Sequence, residues 1–580
     1  MGNLRKIQLF DNDENASVTA KRADIAADDS IKNVFGIDLG TTNSVISIVK
    51  KGAPEVITLN SGKKTFPSCV MWKDGEFYIG DDAYRNKGLP NVIYSVKRLM
   101  EDPSATVTFK DGDKELTMTP TEVSSEILKG IVKATDGMYG EVHDVVVTVP
   151  AYFNDIGKRN TMKACELAGL NLIALENEPS AAALEYDLPE GVVSEDVIVY
   201  DLGGGTFDVT LANIMKVSSS DADDIYGFGD SSEVGSSSKI IKPIAIGGDA
   251  KLGGDDIDNE LFKIVARKIK LDPDSVTDID TKKITSKLER LKKAGVDQTY
   301  EMEFKATLKD GTYVDTKVFV TPEDFVDSCE PIYRRTRKVL NKVLAERPNS
   351  ASKILLVGGS TKNPIIQDFL HRDYSTFEIS SALNPDLVVS TGASVKGRII
   401  KYGDSSISSF DILPITIGIL DGETMVTPVI KKNEELPVSH AAKFTTEIDN
   451  QEYMRVSIYQ GNSTFKDECV HLGDLMIDGI PKAKAGEPVL VVNLTITANN
   501  VLTCEATING ETKSLSLNLN NADTTVAHEY TKEEKKLLRW REFARTLGGD
   551  AGKKLKEMLD GYPDSYSEKE IKDYIRSVRS

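Results

Sequence analysis

Two segments of the chain share an arrangement suited to gripping an anion. Phe35-Gly36-Ile37-Asp38-Leu39-Gly40-Thr41-Thr42-Asn43-Ser44 is echoed by Val199-Tyr200-Asp201-Leu202-Gly203-Gly204-Gly205-Thr206-Phe207-Asp208. Each reads as an apolar strand, an Asp at its end, a glycine turn with hydroxyls, and a returning strand. Glycines let backbone N–H groups approach an anion, threonine hydroxyls add donors, and strand-end carboxylates can hold a divalent cation through its waters. Either turn alone is a plain glycine hairpin. The pair, with matching carboxylates, points to a di- or triphosphate held from both sides. Val357-Gly358-Gly359-Ser360-Thr361 closes a third apolar run ahead of a helix and suits close approach to a nucleoside. No Gly-x-x-x-x-Gly-Lys-Ser/Thr loop is present, so the phosphate site is of another kind.

The elements that must position these residues are short buried strands, Val34 to Ile37, Val145 to Val149, Val197 to Tyr200 and Ile354 to Val357, alternating with helical stretches over 120–135, 157–168 and 322–346. Such alternation predicts an α/β unit, and its size predicts two lobes. Residues 216–241, with Ser218-Ser219-Ser220 and Ser236-Ser237-Ser238, read as a polar low-complexity insertion. Residues 404–410 have linker composition, and from Asp411 the periodicity becomes two, predicting a β domain over 411–522. Its clearest hairpin turns at Asn509-Gly510, with Leu515, Leu517 and Leu519 alternating behind it. The end of the chain reads as short helices opened by capping boxes at Thr531/Glu534 and Ser567/Glu570 and separated at Gly548-Gly549.

The 580 residues carry 71 Lys plus Arg against 90 Asp plus Glu, a net charge of −19, so neither nucleic acid nor an anionic membrane is an expected partner. The five cysteines, Cys69, Cys165, Cys329, Cys469 and Cys504, are scattered and never form Cys-x-x-Cys, which argues against a disulfide framework or a zinc site. No apolar run reaches the ~18 residues of a membrane span, and Met1 to Lys6 lacks a signal core and a myristoylation serine or threonine. A cytoplasmic location is expected. Residues 1–32 are acidic, with Asp11, Asp13, Glu14, Asp24, Asp28 and Asp29, and read as a flexible, solvated tail.

In order along the chain stand Asp38 to Ser44, Val149-Pro150-Ala151-Tyr152-Phe153-Asn154-Asp155, Asn177-Glu178-Pro179-Ser180-Ala181-Ala182-Ala183, Asp201 to Asp208, Leu252-Gly253-Gly254-Asp255-Asp256-Ile257-Asp258 and Val357 to Thr361. By these motifs the chain resembles the 70-kilodalton heat-shock chaperone family of the DnaK type, from about Asn33 to Asn521. The resemblance implies a two-lobed, actin- and sugar-kinase-like ATPase domain over 33–403, then a β-sandwich and a short helical lid over 523–580. It implies ATP and ADP as ligands, with Mg²⁺ and a monovalent cation such as K⁺. Asp38, Asp201 and Asp208 would surround the cations. Gly40, Thr41, Thr42, Asn43 and the Gly203-Gly204-Gly205 turn would hold the phosphates. Lys97 and Glu178 would position the attacking water, with Asp201 and Thr206 completing the catalytic set. This suits phosphoryl transfer, which needs cations and an oriented water more than a strong base. Taken alone, Lys97 is a snorkelling lysine and Glu178 a helix-start carboxylate.

The nucleoside pocket by the same resemblance comprises Glu289, Lys292, Lys293, Gly358, Gly359, Ser360, Lys362 and Asp386. Val296 replaces a usual serine and Lys362 a usual arginine, and lysine lacks the planar group that stacks on a base, so weaker nucleotide binding is expected. In the linker, Ile407-Ser408-Ser409-Phe410 stands where the family has an aliphatic run. Two lost apolar side chains predict docking weaker by about 3 kcal/mol. Ile419, Phe444, Met454 and Val456 fall where the family lines its peptide pocket, although by pattern they are sandwich-core positions. Gly422 and Glu447 stand where apolar arch residues would be.

Two readings follow. One is an ATP-driven chaperone that binds extended apolar segments of unfolded proteins, served by a J-domain co-chaperone and a nucleotide exchange factor. The other is a nucleotide-dependent regulator or exchange-factor-like relative with weak ATPase and weak peptide binding. A sugar kinase or an actin-like filament would need neither the β domain nor the lid.

Overall fold

The computed structural model describes residues 5–10, 33–218, 237–402, 407–497, 502–508, 511–515 and 532–579, apart from positions 51, 136, 138, 382, 548 and 564. The repeat in the sequence is a repeat in the fold. In the first lobe, strand Val34–Asp38 has the parallel strand Asp144–Val149 on one side and the antiparallel Asn43–Lys50 on the other. In the second lobe, Ser194–Leu202 stands likewise between the parallel Ala351–Val357 and the antiparallel Phe207–Ser218. The central strands, Val-, Ile- and Leu-rich and buried on both faces, are those expected of sheets covered by helices. Each lobe has its own core, one around Phe35, Ile37, Val147 and Phe153, the other around Tyr200, Phe207, Phe304 and Tyr333.

The β domain pairs two sheets. One runs Met425–Ile430, Ile417–Asp421, Tyr453–Gln460, Val470–Asp478, and the other contains Val438–Thr445, Val489–Ile496, Leu502–Ile508 and Glu511–Leu515. Inward alternate residues of both build a single core. Strands Leu502–Ile508 and Glu511–Leu515 of the expected hairpin pair antiparallel, Ile508 opposite Glu511, while Asn509 and Gly510, where the turn is expected, lie outside the described residues. Leu517, Leu519 and Thr531 lie outside the described residues. Three helices follow, Lys532–Leu547, Gly549–Asp560 and Glu568–Arg579, sharing a small core around Leu555, Leu559 and Ile571. The box at Ser567 is formed, its Oγ accepting from Glu570 N while Ser567 N donates to Glu570 Oε2 at 2.8 Å.

Three boundary expectations need correction. Residues 5–10 are not tail: strand Arg5–Phe10 adds to the edge of Val438–Thr445. The remainder of that tail, 11–32, lies outside the described residues. The insertion is also shorter than its composition suggested. Lys216, Val217 and Ser218 pair with Lys239, Ser238 and Ser237, because cross-strand hydrogen bonds extend a hairpin regardless of side-chain polarity. Residues 219–236 lie outside the described set. Finally, the linker is a strand. Ile407–Ser409 runs parallel to Lys239–Ile241 as the sixth strand of the second lobe's sheet, and Phe410 N donates to Ile241 O at 3.0 Å. The side-chain argument for weak docking overlooked the backbone, which serine supplies as well as leucine does.

The β domain therefore sits against the two lobes. Asp155 N donates to Gln460 Oε1 at 3.0 Å, Arg159 Nη2 to Leu502 O at 2.9 Å, and Asn177 Nδ2 to Asp411 Oδ2 at 2.6 Å. Ile156 of the first lobe packs into the sandwich core.

Candidate functional site

The two glycine hairpins meet face to face. A Cβ on Gly204 would stand 1.9 Å from Thr42 Oγ1, so only glycine allows this approach. Between and beside the hairpins opens a cavity of about 790 Å³. Its deep end is lined by Asp38, Gly40, Thr41, Thr42, Asn43, Lys97, Glu178, Asp201, Gly203, Gly204 and Thr206. Its outer end is lined by Glu289, Lys292, Lys293, Gly358, Gly359, Ser360, Lys362 and Asp386. Two residues expected here stand just behind the wall. Gly205 packs under Thr41, and Asp208 sits across the ladder from Asp201 with its Oδ1 accepting from Tyr152 N at 3.0 Å. Gly358 holds φ +82, and a Cβ there would meet Asp201 Oδ1 at 2.5 Å, so the third glycine turn abuts the second strand end.

Local structure places the polar groups. Asn177 ends strand Asn171–Asn177, and Glu178 opens the helix Glu178–Glu185 with Pro179 behind it. Lys97 lies on the one-turn helix Val96–Leu99, entered through Ser95 at φ 55. Its Nζ donates to Glu178 Oε1, and both side chains are almost fully buried.

Around that pair the charge is unbalanced. Burial and the nearby Glu178 push the Asp38 carboxyl up to about 7. Burial and Glu178 also raise Asp201 and Asp208 well above the ordinary carboxylate range. One lysine thus faces four carboxyl groups. A divalent cation would relieve this excess, and the oxygen-only donor set suits Mg²⁺. Among the described residues no three Asp, Glu, His or Cys side chains converge as a direct ligand set.

The outer end is also ionic. Glu289 receives Lys87 Nζ at 2.6 Å and Lys293 Nζ at 2.7 Å. Burial opposes its ionisation, but the two lysines prevail and hold Glu289 down at about 2. Lys292 pairs with Asp258 at 2.6 Å, Lys362 with Asp386, and Val296 also lines the wall. Sequence reasoning missed Lys87, an isolated lysine with no motif around it. Asp255 and Asp258 were visible in their Gly-Gly-Asp-Asp motif but had no role assigned. Ser95 Oγ donates to Asp255 at 2.6 Å, and Arg98 Nη2 contacts both oxygens of Asp256 at 3.1 Å, so this motif ties the two lobes together across the cleft.

In the β domain, Ile419, Phe444, Met454 and Val456 are all fully buried in the sandwich core. Packed so, they offer a ligand no surface. Gly422 follows strand Ile417–Asp421 at φ 77, and Glu447 N donates to Gln451 Oε1 at 3.1 Å.

All five cysteines are buried as free thiols. No helix among the described residues is long and apolar enough to cross a membrane.

Comparison with known proteins agrees with this geometry. The chain is 35% identical over 504 residues to a chaperone protein DnaK of Mycoplasmoides gallisepticum, covering 84% of this chain and 80% of that one. The profile described as Hsp70 protein matches residues 34–230 and 237–564, a span holding every residue of the cavity, both sheets of the paired lobes, the sandwich apart from Arg5–Phe10, and the helices Lys532–Leu547 and Gly549–Asp560 but not Glu568–Arg579, and the chain belongs to that family.

Proposed function

We propose that the protein is an ATP-dependent chaperone that binds extended apolar segments of unfolded polypeptides and couples their release to ATP binding and hydrolysis. The observation that carries this is the buried Lys97–Glu178 pair at the meeting point of two glycine hairpins. Donors from Thr41, Thr42 and the Gly203–Gly204 turn face one another across a gap fit for phosphates. Lys97 and Glu178, held rigidly at their end, are suited to orient a water for in-line attack, and Thr206 can bond the same water. Asp38, Asp201 and Asp208 would hold Mg²⁺, which when bound would supply charge stabilisation at the phosphate oxygens, with K⁺ as an accessory cation. The nucleoside is bounded by Glu289, Lys292, Lys293, Ser360, Lys362 and Asp386. The docked linker gives the β domain a physical path to the cleft, since Ser194–Leu202, which carries Asp201 one residue before its end, lies in the sheet that the linker extends.

A second reading, a nucleotide-dependent regulator with weak ATPase, is favoured by one observation: the four peptide-pocket candidates are closed in the core. ATP turnover by the full chain, with and without an unfolded protein, separates the two. Stimulated turnover supports the chaperone. Nucleotide binding with no turnover in either condition overturns it. A J-domain protein and a nucleotide exchange factor are the partners proposed with the chaperone reading.

A further inference from the structure

Strand Val438–Thr445 has two edges, and one is covered by Val489–Ile496 through the register Val438↔Ile496 to Thr445↔Val489. The other would leave a row of unpaired N–H and C=O groups beside buried Ala441, Ala442 and Phe444, an edge open to any extended chain. That edge is taken by Arg5–Phe10 of the same chain. The pairing is antiparallel, Arg5 opposite Thr445, Lys6 opposite Phe444, Gln8 opposite Lys443, Leu9 opposite Ala442 and Phe10 opposite Ala441, with a bulge at Ile7.

The occupant lies outside the part of the chain that matches the family, which begins at residue 34. We infer that Arg5–Phe10 is a built-in strand ligand that occupies the Val438–Thr445 edge and competes with any extended peptide adding to the sheet there. The chemistry is that of strand addition, in which main-chain hydrogen bonds supply the affinity. Residues 11–32, which join the segment to Asn33, can reach roughly 70 Å at most when extended. A tether of that length presents the segment at an effective concentration near millimolar. If the strand is paired nine-tenths of the time, a competing peptide binds about tenfold more weakly, and at ninety-nine parts in a hundred about a hundredfold.

The chaperone reading gives this inference its consequence, self-restraint of peptide binding, but the pairing itself is testable without nucleotide or client. In the full-length wild-type chain, amide exchange across Val438–Thr445 should be as slow on the outer-edge amides as along Val489–Ile496. Fast exchange of those outer amides overturns the inference. Protection that fades on dilution assigns the strand to a second copy and overturns it as well. Adjacent residues of a strand alternate in which way their N–H points, so Gln8→Pro with Leu9→Pro removes one edge-facing donor in either phase. A fluorescein-labelled peptide of sequence Arg-Lys-Ile-Gln-Leu-Phe should bind this full-length variant at least tenfold more tightly than wild type. Equal affinities, or no binding to either, overturn the proposal. Loss of peptide-stimulated ATP turnover with intact edge protection would count against the chaperone reading alone.

Discussion

Lys97 and Glu178 stand 81 positions apart in the chain and meet as a buried ion pair under the two glycine turns. Neither is exposed to a tenth of its side chain, so water does not screen them, and truncating either leaves a buried charge unpaired. Lys97→Ala should reduce single-turnover ATP hydrolysis by about a hundredfold or more while changing nucleotide affinity by no more than about tenfold, as for a group that acts in the transition state. Thr206→Ala, which removes one hydroxyl, should cost less. Turnover by Lys97→Ala at the wild-type rate would show that the lysine does not act on the water.

Linker docking is the second quantity to test. Phe410 N donates to Ile241 O, and donors alternate along an edge strand, so the other inward N–H is that of Ser408. Ser408→Pro should abolish peptide stimulation of ATP turnover and leave the basal rate intact. Ser408→Leu with Ser409→Leu keeps the ladder and adds apolar surface, and should raise stimulation above wild type. Full stimulation in the proline variant would place the coupling in the side-chain contacts between domains, such as Asn177 to Asp411.

Lys362 is bonded to Asp386, and both are about half exposed or a little less, so that pair holds its place weakly. Lys362→Arg offers a planar cation to an aromatic base, worth about 1 kcal/mol, and should tighten ATP binding roughly fivefold by calorimetry. An unchanged affinity would mean that the base does not reach residue 362.

Stability should fall as pH rises in the absence of nucleotide. Burial holds Asp38 at about 7 and Asp258 at about 6 in the folded chain, both above their unfolded value of 3.8. The folded state therefore binds protons that the unfolded state releases, a stabilisation complete below about pH 4 and lost as pH climbs through 6 and 7. Thermal melts from pH 5.5 to 8 should show a declining midpoint, flattened in Asp38→Asn. A midpoint rising over that range would contradict the assigned shifts.

The repeated strand–Asp–glycine–hydroxyl pattern was legible in the residues because its chemistry is local. Asp38 ends its strand and Asp201 stands one residue before the end of its own, and glycine at 204 is what lets Thr42 come so near. The change of period at Asp411 and the serine cap at Ser567 were legible for the same reason, since caps and periodicities act within a few residues. What depended on distant pairing was not. Lys87 is one lysine among many until folding sets it on Glu289, more than two hundred positions away. Arg5–Phe10 reads as part of an acidic tail until the open edge of Val438–Thr445 gives its backbone a partner. Ser408 and Ser409 suggest a loose linker by their side chains, yet the ladder to Ile240 and Ile241 uses only the main chain they share with every residue. Local sequence determined which groups could bind phosphate. Tertiary structure alone decided which charges are buried together and which sheet edges are filled, because both depend on groups that meet only once the chain has folded.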